Sequence, residues 1–170
     1  PVFLNSPMAA RATEVFLGIV AVPEHEHRTM AFAWLLMLRR ERPDDVELLR
    51  TIGEQGEALL EDEMLVGVRD DVLVALGEHR LRTGQPAAAL AVLQQVSEGH
   101  ASYGEAQLFA GLSEERLGRR AEAIERLSVA ATSGAPTRRE RRKGQVDAHE
   151  ERVRRRAARE LERLGGGYAR

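Results

Sequence analysis

Apolar residues recur along this chain at steps of three and four, the spacing that lines one face of a helix. Ser6-Pro7 reads as a helix start, with Ser able to cap and Pro fitting the first turn. Met8, Ala12, Val15, Phe16 and Ile19 then follow at helical spacing, and Pro23 closes the segment. A second helix is predicted from about His27 to Arg42. Its run MAFAWLLML is apolar on every side, which predicts a helix buried between neighbours. Pro43 breaks the chain, and Asp44 or Asp45 can cap a third helix with the seam Val46, Leu49, Gly53, Gly56 and Leu60. Two glycines on a seam cost roughly 1 kcal/mol each against Ala, so they are expected where another backbone comes close. The alternative is a helix that ends near Gly53 or Gly56.

The pattern continues with a helix opening at Asp70-Asp71 and running to Thr83, a turn at Gly84-Gln85-Pro86, and a helix over Ala87–Ser97. SEGHASYG reads as a loop, Gly104–Leu117 and Arg120–Ser133 as two more helices, and SGAP as their close. No alternating β-branched stretch exists, so the fold class predicted is all-α.

The stretch RTGQPAAAL, at 82–90, returns as RLGRRAEAI at 116–124. Aligning 73–96 with 107–130 pairs Gly77 with Gly111, Arg82 with Arg116, Gly84 with Gly118, Ala87 with Ala121, Ala89 with Ala123 and Leu93 with Leu127. The glycines at 77 and 111 are small residues in mid-helix, where a partner can cross, and Leu93 and Leu127 follow Ala89 and Ala123 by one turn. The pattern resembles the tetratricopeptide repeat, a helix–turn–helix unit of about 34 residues. On that resemblance, the family's early large residue falls on Leu73 and Gln107, its small first-helix residue on Gly77 and Gly111, and its turn glycine on Gly84 and Gly118. Its second-helix Ala falls on Ala89 and Ala123, and its closing small residue on Val96 and Ala130. The final proline is displaced to Pro136 in one copy and replaced by Ala101 in the other, while Arg80, Glu114, Leu93 and Leu127 take the usual aromatic positions.

The resemblance implies stacked helical pairs forming a right-handed solenoid with a C-terminal capping helix. Clear repeats are assigned to 70–102 and 104–136, degenerate units to 6–69 with an irregular stretch at 54–69, a basic amphipathic capping helix to 137–164, and a tail to 165–170. It also implies a concave groove for a protein or peptide segment, lined by Val74, Glu78, Leu81 and Arg82 and then by Leu108, Phe109, Leu112 and Arg116. Arg82 and Arg116 are placed to project in parallel toward an acidic ligand, and Phe109 and Leu112 to form an apolar patch; the plain alternatives are solvated helix ends and ordinary core. Glu78 and Leu112 stand where the family's carboxylate-holding members use Asn, which speaks against that activity.

Charge adds a second candidate. Residues 1–137 carry 13 Arg and 21 acidic residues, a net of −8, whereas 138–170 carry 12 basic and 6 acidic residues, a net of +6. Arg138, Arg139, Arg141, Arg142 and Lys143 form a basic patch suited to phosphate or an acidic protein. Beyond it Val146, Val153, Ala157, Leu161 and Leu164 make an apolar stripe, so the bland reading is a capping helix with a solvated face. No aromatic lies between 138 and 164, which argues against base stacking.

The remaining chemistry is sparse. The chain has no cysteine, which excludes disulfides and thiolate chemistry and suits a reducing cytoplasm. No apolar run reaches the roughly 20 residues of a membrane span. Arg11 before Val15–Val22 faintly resembles a secretory leader, but Glu14 and the missing cleavage site argue against it. His25-Glu26-His27 has two imidazoles but no third ligand, and no phosphate loop, dinucleotide fingerprint or nucleophile elbow is found. The expectation is a scaffold with no catalytic residues, no metal and no cofactor. It docks a protein or peptide partner, with self-association open and nucleic acid as the alternative partner.

Overall fold

A computed structural model describes residues 7–60, 68–134 and 147–165, and among these every regular element is helical. Eight helices follow in order: α1 Pro7–Val20, α2 Arg28–Glu41, α3 Val46–Leu59, α4 Arg69–Arg82, α5 Pro86–Leu93, α6 Tyr103–Arg116, α7 Arg120–Thr132 and α8 Ala148–Arg163. Arg138, Arg139, Arg141, Arg142 and Lys143, with Pro136 and Val146, lie outside the described residues.

Asp45 caps α3 by accepting from the Leu48 amide at 3.1 Å, and Asp147 caps α8 by accepting from the His149 and Glu150 amides at 2.7 and 3.2 Å. Helix α3 runs through both Gly53 and Gly56, so the shorter helix does not occur. What approaches those glycines is side chain: a Cβ on Gly53 would run into His79, and one on Gly56 would rest 3.5 Å from Val72 Cγ1 and 3.6 Å from Phe32 Cζ. Helix α5 stops at Leu93, short of Ser97. Helix α2 is not covered on all sides: Met30, Trp34 and Met37 lie one turn apart on a stripe that is 64, 39 and 65% exposed. Its other face, Phe32, Leu35, Leu36 and Leu38, is core.

Each helix packs on the next, and helices two apart also touch: α1 with α3, α2 with α4, α4 with α6, and α6 with α8. The core divides into three consecutive clusters. One joins α1–α3 with Val72 and Ala75 of α4, the next joins α4, α5 and α6, and the last joins α6, α7 and α8. The two aligned hairpins repeat one contact in three dimensions. A Cβ on Gly77 would strike Leu93, and a Cβ on Gly111 would lie 2.8 Å from Leu127 Cγ. The missing methyl in the first helix is therefore the space its partner's leucine fills. Gly84 and Gly118 both take the left-handed conformation, with φ of 79° and 78°, which turns the chain between the paired helices.

Candidate functional site

Helices α2, α4, α6 and α8 touch in succession, and a buried line of charge runs across them. Arg39 of α2, only 4% exposed, donates to Glu78 of α4 at 3.1 Å and to Glu105 of α6 at 2.8 Å. Glu78 also receives Arg82 at 2.8 Å, and Glu105 meets His149 Nε2 of α8 at 3.1 Å. Four helices thus contribute to one network, and no buried side-chain polar atom is left without a partner among the described residues. Burial by itself would raise the Glu105 carboxyl. The neighbouring Arg39, the His149 hydrogen bond and charge, and more distantly Arg40 outweigh it and hold that carboxyl below the usual glutamate value.

A parallel set lies beside it. Arg40 donates to Asp71 at 2.7 Å and to the Ser102 hydroxyl at 2.6 Å, and the Ser102 hydroxyl donates to Asp71. Asp71 and Glu105 stand 34 residues apart, and α4 and α6 each hold there a carboxylate that takes one of two adjacent arginines. Arg152 of α8 donates to the Arg40 carbonyl, which brings the second helix and the last into direct contact.

Between this line and α8 lies a cleft of about 720 Å³. Arg39, Glu78, Glu105, Leu108 and Phe109 line it on the side of the inner helices, and Arg152, Val153, Arg155, Arg156, Ala158 and Arg159 on the side of α8. A smaller cleft of about 370 Å³ continues along Leu81, Arg82, Leu112 and Arg116, with Glu78, Phe109 and Arg156 common to both. Of the groove positions read from the repeat, seven therefore border these clefts, and Val74 does not.

Their availability differs. Val74, Leu81 and Leu108 are buried. Glu78 is buried in the ion network, Phe109 is buried under the Arg156 guanidinium at 5.6 Å from its ring centroid, and Leu112 is half-buried. Arg82 and Arg116 are exposed at the residue level yet internally engaged: Arg82 donates to Glu78 and the Pro43 carbonyl, and Arg116 to the Leu81 carbonyl. Sequence reasoning missed Arg39, Glu105 and His149. One signal for Arg39 was present, since it continues the Phe32–Leu35 face of α2 by one more turn.

His25 and His27 sit with ring centroids 5.7 Å apart between α1 and α2. Among the described residues no group of three or more His, Asp or Glu side chains is placed to hold a metal ion, and no helix is long and apolar enough to cross a membrane. No protein-family model matches the chain, and no curated protein or solved structure matches it at a significant level.

Proposed function

We propose that this chain is a non-catalytic interaction scaffold, an array of tetratricopeptide-like units wound as a right-handed solenoid with α8 as its cap. It works in the cytoplasm by docking a segment of another protein in the cleft between the inner helices and α8. The observation that carries this reading is the cleft itself, about 720 Å³, within the range of sites that hold small ligands or short segments. Its support is the recurrent fit of Gly77 with Leu93 and of Gly111 with Leu127, the same contact between the two helices of a hairpin made in successive hairpins.

The test is selection from a displayed random-peptide library on the intact protein. Recovered peptides are then titrated against Phe109→Ala and Leu112→Ala, with folding followed by circular dichroism. Both variants should lose affinity while remaining helical. A library that yields no peptide, or variants that bind as the parent does, would remove the proposal.

A second reading, nucleic-acid contact through the basic C-terminal segment, is favoured by the exposed arginines of α8, which follow Arg138–Lys143 in the chain. It predicts a gel shift that weakens steeply with salt and is abolished by truncation after Gly134. The exposed Met30, Trp34 and Met37 stripe keeps self-association as a further partner type.

A further inference from the structure

Arg152, Arg155, Arg156 and Arg159 fall at i, i+3, i+4 and i+7, so they form one stripe along α8, beside its buried seam Val153, Ala157 and Leu161. All four are exposed and all four border the large cleft. Arg155 pairs with Glu151. Arg152 and Arg159 donate to the backbone carbonyls of Arg40 and Arg155, and Arg156 lies over the Phe109 ring. Among the described residues no carboxylate forms an ion pair with Arg152, Arg156 or Arg159.

The opposite wall does not cancel them. Glu78 and Glu105 are neutralised by Arg39, Arg82 and the His149 contact. Five arginines face Asp44, Glu78 and Glu105 around this cleft, a net of +2 from these eight side chains. The chain from 1 to 137 carries a net of −8, so the cleft is a positive mouth on an acidic body.

We propose that the cleft takes an acidic peptide, its carboxylates held by Arg152, Arg156 and Arg159 and an apolar side chain laid against Phe109. This rests on the docking reading above and names its ligand. A guanidinium matches a carboxylate in a bidentate fork, and a stripe of them sets a spacing that a partner must meet. Arg156 is the moving part. Drawn toward a ligand carboxylate, it exchanges a cation–π contact for a charged hydrogen bond and uncovers the aromatic face. The acidic body repels the same peptide elsewhere, which confines it to the cleft.

The probe is a fluorescein-labelled Glu-Leu repeat of about eight residues, long enough at about 3.3 Å per residue to cross the roughly 10 Å from Arg152 to Arg159. A Gln-Leu repeat of equal length and an oligothymidine serve as comparisons, all read by anisotropy on the full chain. The Glu-Leu peptide should bind tightest and weaken with salt. Replacing Arg152, Arg156 and Arg159 together by Gln should weaken it about tenfold or more, whereas Arg11→Gln, Arg50→Gln and Arg69→Gln, exposed and outside the cleft, should change it less than about twofold. Equal loss in the two triple variants overturns the proposal, since charge alone would then explain binding. Gln-Leu binding as well as Glu-Leu overturns it while the docking function survives, and no binding by either peptide removes both. Oligothymidine binding tighter than Glu-Leu, with the loss confined to the cleft variant, assigns the stripe to nucleic acid instead.

Discussion

Replacing glycine by alanine inside a helix should change sign from site to site in this protein. At Gly56 the added methyl would rest 3.5 Å from Val72 Cγ1 and 3.6 Å from Phe32 Cζ, ordinary contact distances. Alanine gains about 1 kcal/mol over glycine in helix propensity, and the methyl buries against two apolar groups without displacing either. Gly56→Ala should therefore stabilise by about 1 kcal/mol, a rise of roughly 2–4 °C in Tm for a chain of this size. At Gly77 the same methyl meets the branch carbon of Leu93, which is 2% exposed and has no space to move into. Overpacking of this kind costs about 1–3 kcal/mol, and a clash at a branch carbon belongs near the upper end. After the propensity gain, Gly77→Ala should be destabilised by about 1–2 kcal/mol. At Gly111 a methyl would lie 2.8 Å from Leu127 Cγ and 3.2 Å from the Ala123 carbonyl, which is backbone and yields least, so Gly111→Ala shares the loss. The assay is thermal and urea unfolding by circular dichroism. In the double variant Gly77→Ala with Leu93→Ala, the combined loss should be smaller than the sum of the single losses. A Gly77→Ala protein as stable as Gly56→Ala, or strictly additive losses in the double variant, would refute the interlocking of glycine and leucine.

Other perturbations follow from the ion network and the caps. Arg39→Met leaves buried Glu78 to Arg82 and Glu105 to His149, and should cost toward the lower end of about 3–5 kcal/mol in urea unfolding; adding Glu78→Gln and Glu105→Gln should recover part of it. The Glu105 carboxyl is held below its ordinary value in the folded chain, so its stabilisation is present above that value and is lost as pH falls through the lowered one. Glu105→Gln should accordingly lower Tm at neutral pH, and its deficit should shrink in acid; a deficit independent of pH would contradict the sign. Asp147→Ala removes two amide contacts at the start of α8 and should cost about 1 kcal/mol by the same unfolding assay. Gly84→Ala and Gly118→Ala place a Cβ on left-handed backbone, and each should lose about 1 kcal/mol.

Local and repeated features were readable in the amino-acid order. The recurrence of one pattern in the two hairpins predicts that Gly77 and Gly111 share a partner type, and the structure seats a leucine on each. The turn glycines are equally local, because only φ > 0 is needed to explain them. The exposed stripe of α2 was misjudged because an all-apolar helix carries no periodicity to say which face lacks a neighbour. Arg39 was hidden for a different reason. It stands beside Arg40 and Arg42 at the end of a helix, where basic residues are common, and only the distant Glu78 and Glu105 draw it inside. Glu105 and His149 share this dependence on distant chain. The cleft-facing side of α8 emerges only once its apolar seam is placed on α6 and α7.

Because Arg39, Glu78, Glu105 and His149 come from alternate helices, with Arg39 holding both carboxylates and Glu105 meeting His149, the number of hairpins between α2 and α8 is frozen. Duplicating or deleting one would pull His149 away from Glu105 and Arg152 away from the Arg40 carbonyl. Growth is open only at the ends, so descendants of this chain should vary in their extensions and keep the same inner span.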